Sequence, residues 1–482
     1  MSVRTSLAWS FSQRFVQHIF NLIGSVIIAR LLTPAEMGVF TLAMAAGFLI
    51  GAFRDFGVGS YLIREKDLND LKIRTAFGIW ITVSWTIGIV IYLARSYVSA
   101  AYGVSGISDV LLLVSINYFI TPFGLPADTL MRREMRFKEL HHITLTCGIL
   151  SLCITTTLAF MGYSFMALAW GFLASTTTRT TLLLISRPDH IKMLPSLRYW
   201  RAVVRFGGLV TAQSFLITIN TEGIKFIVGG FFNPAAVALI ERANQIPVLM
   251  RESVCAPLAN VLLPAFSNSL HKGESIGSPV TKLISGLTAL IWPAFLTIGL
   301  LATPIVVFVF GQNWLIAGKI LPFLLLSHAI SSSLPYPSQI LVPCGKVKLL
   351  FWLVLFSTVS SLMLAALGAW HSLMMCVYLQ PVHATLFTLA SYLCIRRYWQ
   401  ADISTILRNY AKAFVVAVLS AIPALTVLAV YGDHVPVAAL FSVALSAPII
   451  WLFAIYFLKH PLSEEITSVL SKLRLMWSRE AG

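Results

Sequence analysis

The chain is partitioned into apolar runs of about 20 residues, the length a helix needs to cross the hydrocarbon core of a bilayer. The loops between these runs alternate in charge. The segments at 54–74, 131–140, 187–205, 268–282, 344–348 and 396–412 are basic. Those near 33–36, 95–107, 162–163, 232–234, 311–319, 371 and 432–436 carry only Arg30, Arg95 and Lys319 among them or beside them. Lysine and arginine collect in cytoplasmic loops, so the alternation predicts both the order of the spans and their direction. The fold expected is an all-α integral membrane protein of about fourteen transmembrane helices, each about 20 residues long, with both termini cytoplasmic.

Composition matters mainly for what it excludes. The chain is 57% hydrophobic and 11% charged, against about 25% charged in soluble domains. Its apolar runs are continuous, which argues against the weak alternation of a β-barrel. The net charge of +16 is then a topology signal. No basic run has interleaved aromatics, and no nucleic-acid partner is expected. None of the six cysteines stands in C-x-x-C spacing, so no zinc site or disulfide frame is indicated. There is no G-x-x-x-x-G-K-[ST] or H-E-x-x-H pattern, so neither an enzyme nor a cofactor or metal is expected. The first apolar run is too long for a cleavable signal peptide.

That first run, 11–32, is unusually polar. Arg14, Gln17, His18 and Asn21 follow i, i+3, i+4, i+7 spacing and form one stripe on a helix. Such a stripe should face protein or a water-filled cavity rather than lipid. The turn closing the run returns two hundred positions later: Leu31-Leu32-Thr33-Pro34-Ala35 is echoed by Phe231-Phe232-Asn233-Pro234-Ala235. Six spans separate the copies, so both point the same way, as in parallel-repeat transporters. The organisation expected is an N-lobe at 1–186, a cytoplasmic linker at 187–205, a C-lobe at 206–398, two added spans at 409–460 and an amphipathic cytoplasmic tail helix at 461–482.

The motifs A-R-L-L-T-P-A-E-M-G-V-F (29–40), R-D-F-G-V-G-S-Y-L-I-R-E (54–65) and L-M-R-R-E-M-R-F-K-E-L (130–140) resemble those of the Wzx-type flippases. These form the polysaccharide transporter family of the multidrug/oligosaccharidyl-lipid/polysaccharide exporter superfamily. The resemblance covers the whole chain. It implies flipping of undecaprenyl-pyrophosphate-linked oligosaccharide repeat units across the bacterial inner membrane, for exopolysaccharide, capsule or O-antigen assembly, by alternating access through a central cationic cavity. The implied partners are the lipid-linked substrate, membrane lipids and polysaccharide polymerase machinery.

Charge buried in a membrane costs a few kcal/mol per group, so each intramembrane charge needs a reason. Arg14, His18, Arg54, Arg179, Lys225, Arg242 and Arg251 are the candidate substrate-binding residues, because guanidinium groups meet phosphate oxygens in paired, charge-assisted hydrogen bonds. Asp55, Glu222 and Glu252 are the candidate ion-coupling carboxylates. Each has a plainer alternative: an internal Glu222–Lys225 salt bridge, a helix cap at Arg54 and Asp55, and for Arg179 snorkelling towards the cytoplasm. Two other functions compete. A drug/cation antiporter of the same superfamily would favour an acidic cavity. A membrane glycan polymerase or ligase would want a long extracytoplasmic loop.

Overall fold

The computed structural model describes residues 20, 22–55, 57–187, 194–196, 198–271, 277–334, 337–399, 403–432, 434–463 and 467. Among them there are helices and no strands. In chain order these are α1 (Leu22–Leu31), α2 (Pro34–Gly51), α3 (Val58–Arg64), α4 (Asp70–Tyr102), α5 (Gly106–Ile120), α6 (Leu125–Arg133), α7 (Phe137–Phe160), α8 (Phe165–Ser186), α9 (Trp200–Phe231) and α10 (Pro234–His271). There follow α11 (Gly277–Leu300), α12 (Ala302–Phe310), α13 (Leu315–Ser332), α14 (Pro337–Leu341), α15 (Val347–His371), α16 (Leu373–Trp399), α17 (Ile403–Tyr431) and α18 (Val437–Phe457). Ten candidate spans among the described residues are long and apolar enough to cross a membrane. The tail expected at 461–482 lies, beyond Ser463 and apart from Thr467, outside the described residues.

Proline accounts for several differences from the expected spans. The run at 109–127 is not one helix. It breaks after Ile120 into a 3-10 turn, Thr121–Phe123, and restarts as the short α6. Pro122 and Pro126 lack the amide hydrogens a continuous helix would use. The run at 282–310 divides at Leu301, and that at 317–342 divides after Ser332. In contrast, α10 runs unbroken past Pro247 and Pro257.

The repeated turn is reproduced in local structure. Thr33 caps α2, its hydroxyl accepting from Glu36 N at 3.4 Å while Glu36 Oε2 accepts from Thr33 N at 2.7 Å. Asn233 caps α10 with Oδ1 accepting from Ala236 N at 2.9 Å. Both helices then begin on proline, whose missing N–H needs no partner there.

The chain forms two compact units. One comprises 1–239 with 361–373, the other 240–360 with 374–482. In the first, α9 packs along α2, although the repeat assigns it to the second lobe. Glycine makes that approach close: a Cβ at Gly38 would fall 1.9 Å from the Pro234 carbonyl oxygen, and Gly229 would meet Leu42 at 3.0 Å. In the second unit, polar side chains tie helices across the core. Trp451 donates to Ala289 O at 2.7 Å and Asn409 donates to Ser285 Oγ at 2.6 Å.

Beyond the end of α18, His460 is fully buried, and its Nδ1 accepts from Leu462 N at 3.2 Å. Burial, aided by the positive charge of Lys412, pushes its pKa down to about 4. The folded state therefore favours neutral His460. Its stabilisation is fully present above the unfolded value of about 6.5 and is lost as pH falls towards 4, reaching up to about 2 kcal/mol at pH 5. The thermal midpoint of the purified protein should drop between pH 7 and pH 5, and His460→Gln should flatten that drop. Gly38→Ala should destabilise by about 1–3 kcal/mol through overpacking against backbone, while Gly299→Ala, whose nearest neighbour is 3.7 Å away, should leave the midpoint unchanged. Thermal unfolding in detergent measures both.

Candidate functional site

The first unit contains an open polar cavity of about 440 Å³ between α2, α5, the 121–124 break, α6 and α8. Small residues on one face of α2 set its shape. Gly47 and Gly51 lie one turn apart, and a Cβ at Gly51 would fall 1.7 Å from the Tyr118 hydroxyl. Tyr118 therefore lies across α2 and donates to Gly47 O at 3.0 Å. Its ring faces the Arg54 guanidinium, which sits 6.0 Å from the ring centroid.

Arg179 comes to the same cavity from α8. Its Nη2 donates to Asp128 Oδ1 at 2.6 Å and its Nη1 to Thr144 Oγ1 at 3.1 Å. The other oxygen of Asp128 accepts from Arg132 Nε at 2.7 Å. Asn117 also lines the space and is 3% exposed. Its Nδ2 donates to Leu113 O at 3.0 Å, while its Oδ1 has no partner among the described residues. A buried acceptor left alone costs about 1–3 kcal/mol, and this oxygen, with almost no accessible surface, is closed off from the cavity space. The cavity thus offers two guanidinium groups and one carboxylate, a set suited to an anion.

A family of polysaccharide biosynthesis proteins, Polysacc_synt_3, matches residues 27–318. The chain belongs to this family. WzxC of Escherichia coli (strain K12), a lipopolysaccharide biosynthesis protein, is 21% identical over 298 residues, covering 61% of this chain and 60% of WzxC. ExoT of Rhizobium meliloti (strain 1021), a succinoglycan biosynthesis transport protein, is 21% identical over 452 residues, covering 92% of this chain and 90% of ExoT. Among solved structures, the lipid II flippase MurJ in an inward closed conformation matches with a TM-score of 0.74 at 16% identity, over 93% of this chain and 98% of MurJ. An inward-facing multidrug resistance MATE transporter matches with a TM-score of 0.60 at 14% identity, over 80% of this chain and 94% of that one. These two likenesses show the fold. The family member described here is a multi-pass membrane protein of a polysaccharide-biosynthesis family, with the fold seen in MurJ and that MATE transporter.

Of the residues singled out from sequence, Arg54 and Arg179 meet in the first unit's cavity. Arg14 and His18 lie outside the described residues. Asp55, next to Arg54, accepts on Oδ1 from Trp80 Nε1 and from Gly59 N, both at 3.3 Å, and so holds the start of α3. Glu222 and Lys225 form an ion pair at 3.0 Å on α9, away from the residues that line the cavity. In the second unit, the Arg251 side chain is half-buried with Nε lacking a hydrogen-bond partner among the described residues. Glu252 is exposed.

Arg242 is enclosed rather than open. It is 7% exposed, its guanidinium sits 5.1 Å from both the Phe310 and Trp314 ring centroids, and Nη1 donates to Gln245 at 2.8 Å. This packing joins α10 to the turn between α12 and α13.

Sequence reasoning missed Asp128, Tyr118 and Asn117. The i, i+4 spacing of Asp128 and Arg132 reads as a local helix pair, which hides the second partner, Arg179. The available signal was a lone acid following Pro122, Gly124 and Pro126 at the end of an apolar run. Arg242→Ala should lower stability by about 2–4 kcal/mol, through the lost cation–π contacts and the cavity left between two rings. Arg242→Lys should recover only part of that loss, because an ammonium does not stack as a planar guanidinium does. Thermal unfolding of the two variants checks this.

Proposed function

We propose that this protein flips undecaprenyl-pyrophosphate-linked oligosaccharide repeat units from the cytoplasmic to the periplasmic leaflet of the bacterial inner membrane, by alternating access and without covalent chemistry. The observation that carries the reading is that Arg54 and Arg179 both line one polar cavity. A diphosphate offers oxygens to both guanidinium groups in charge-assisted, geometrically paired bonds. The polyprenyl chain has no polar group to satisfy and stays in lipid. The resulting repeat units supply polysaccharide polymerase machinery in exopolysaccharide, capsule or O-antigen assembly. A cavity with two arginines and one aspartate favours this anionic cargo over a cationic drug.

In cells depending on this protein, Arg54→Ala and Arg179→Ala should each reduce polymer export by tenfold or more, on the order of 1.4 kcal/mol or more of lost interaction. Protein levels should be normal, and lipid-linked repeat units should accumulate on the cytoplasmic side. Full polymer production in both variants would overturn the proposal.

A further inference from the structure

The cavity holds its own anion, placed where it competes with an incoming one. Asp128 divides its two carboxylate oxygens between two arginines, Oδ1 to Arg179 at 2.6 Å and Oδ2 to Arg132 at 2.7 Å. The two partners differ in setting. Arg179 lines the cavity with its side chain 32% exposed, whereas Arg132 does not line it and its side chain is 49% exposed. Asp128 itself is 16% exposed. It stands on α6, a nine-residue helix separated from α5 by the 3-10 turn and Gly124. We infer that Asp128 is an exchangeable counter-ion, which neutralises Arg179 when no substrate is bound and yields it to the diphosphate by falling back on Arg132.

This inference rests on the reading of the cavity as a diphosphate site, and the charges follow from it. A guanidinium about two-thirds buried beside apolar side chains gains from a nearby anion, so Arg179 is best kept paired throughout the cycle. While Asp128 occupies Nη2 of Arg179, the cavity presents Arg54 as its unpaired cation among the described residues. A diphosphate brings about two negative charges, comparable to a phosphate monoester, and is held best by both arginines. It repels Asp128, whose second oxygen already has Arg132 to retain it. Return of Asp128 to Arg179 then displaces the diphosphate, so the same carboxylate that weakens binding assists release. Asp128 is a positioning residue acting through Arg179.

The test is calorimetric binding of inorganic pyrophosphate to the full chain purified in detergent, for wild type and four variants. Asp128→Asn removes the competing charge and keeps the side chain's shape, and it should tighten binding about two- to fivefold, the range of a partly exposed ion pair. Arg132→Gln removes the fallback partner, leaves Asp128 on Arg179, and should weaken binding by a few-fold although Arg132 is not in the cavity. Arg54→Ala and Arg179→Ala should weaken binding. If the two cavity arginines matter but Asp128→Asn binds no tighter, the counter-ion role is wrong and the diphosphate reading stands. If Asp128→Asn weakens binding as Arg179→Ala does, Asp128 only props Arg179 in place, and the exchange is wrong. If neither arginine affects pyrophosphate binding, the diphosphate reading falls and takes this inference with it.

Discussion

A backbone in hydrocarbon has no water to bond to, so every interruption of a helix must be satisfied by protein. The functional region of this protein grows from one such interruption. After Ile120 the α-helical hydrogen-bond ladder gives way to a 3-10 turn, because Pro122 and Pro126 lack the amide hydrogens it would use. Thr121 Oγ1 bonds back to Asn117 O at 2.7 Å, and Gly124 N bonds to Thr121 O at 3.2 Å. The break is tolerated because α2, α5, α6 and α8 close around it, and the space they leave is the polar cavity. A continuous helix here would carry Asp128 on with α5. The break instead gives it a short helix of its own, from which it reaches Arg179.

The arginines show three ways of keeping a guanidinium in an apolar protein. Arg179 uses a carboxylate and a hydroxyl, Asp128 and Thr144. Arg242 uses two aromatic rings and an amide, Phe310, Trp314 and Gln245. Arg54 lies over a single ring, that of Tyr118. The difference has consequences. A guanidinium closed in by rings gives up packing if it turns towards a ligand, so Arg242 reads as structural. One held by an exchangeable anion, or by one ring face, can accept phosphate at lower cost. Charge type alone, the criterion available before the fold, cannot separate these cases.

The repeat behaves similarly. Thr33 and Asn233 cap helices at positions two hundred apart, with a hydroxyl in one copy and an amide oxygen in the other. The backbone solution is shared while the surrounding chemistry is not. Leu22 and Ser25 occupy the places that Glu222 and Lys225 hold in the second copy, and the latter two form a local ion pair. The two segments share the capped, proline-started turn, and their polar content differs.

The sequence by itself determined the class of fold: the apolar runs, the alternation of basic loops and the two Pro-started turns follow from local rules of length, charge and capping. It also drew attention to Arg54 and Arg179, since charge in an apolar run is costly wherever it sits. Only the tertiary structure decided that these two share a cavity and that Arg242 is sealed between rings. It likewise decided that Asp128 belongs to Arg179 as much as to Arg132. Arg179 and Asp128 are 51 residues apart, and no periodicity carries information over that distance. Their meeting depends on α8 packing against the broken end of α5, which the glycines of α2 and the prolines of the 121–126 segment permit.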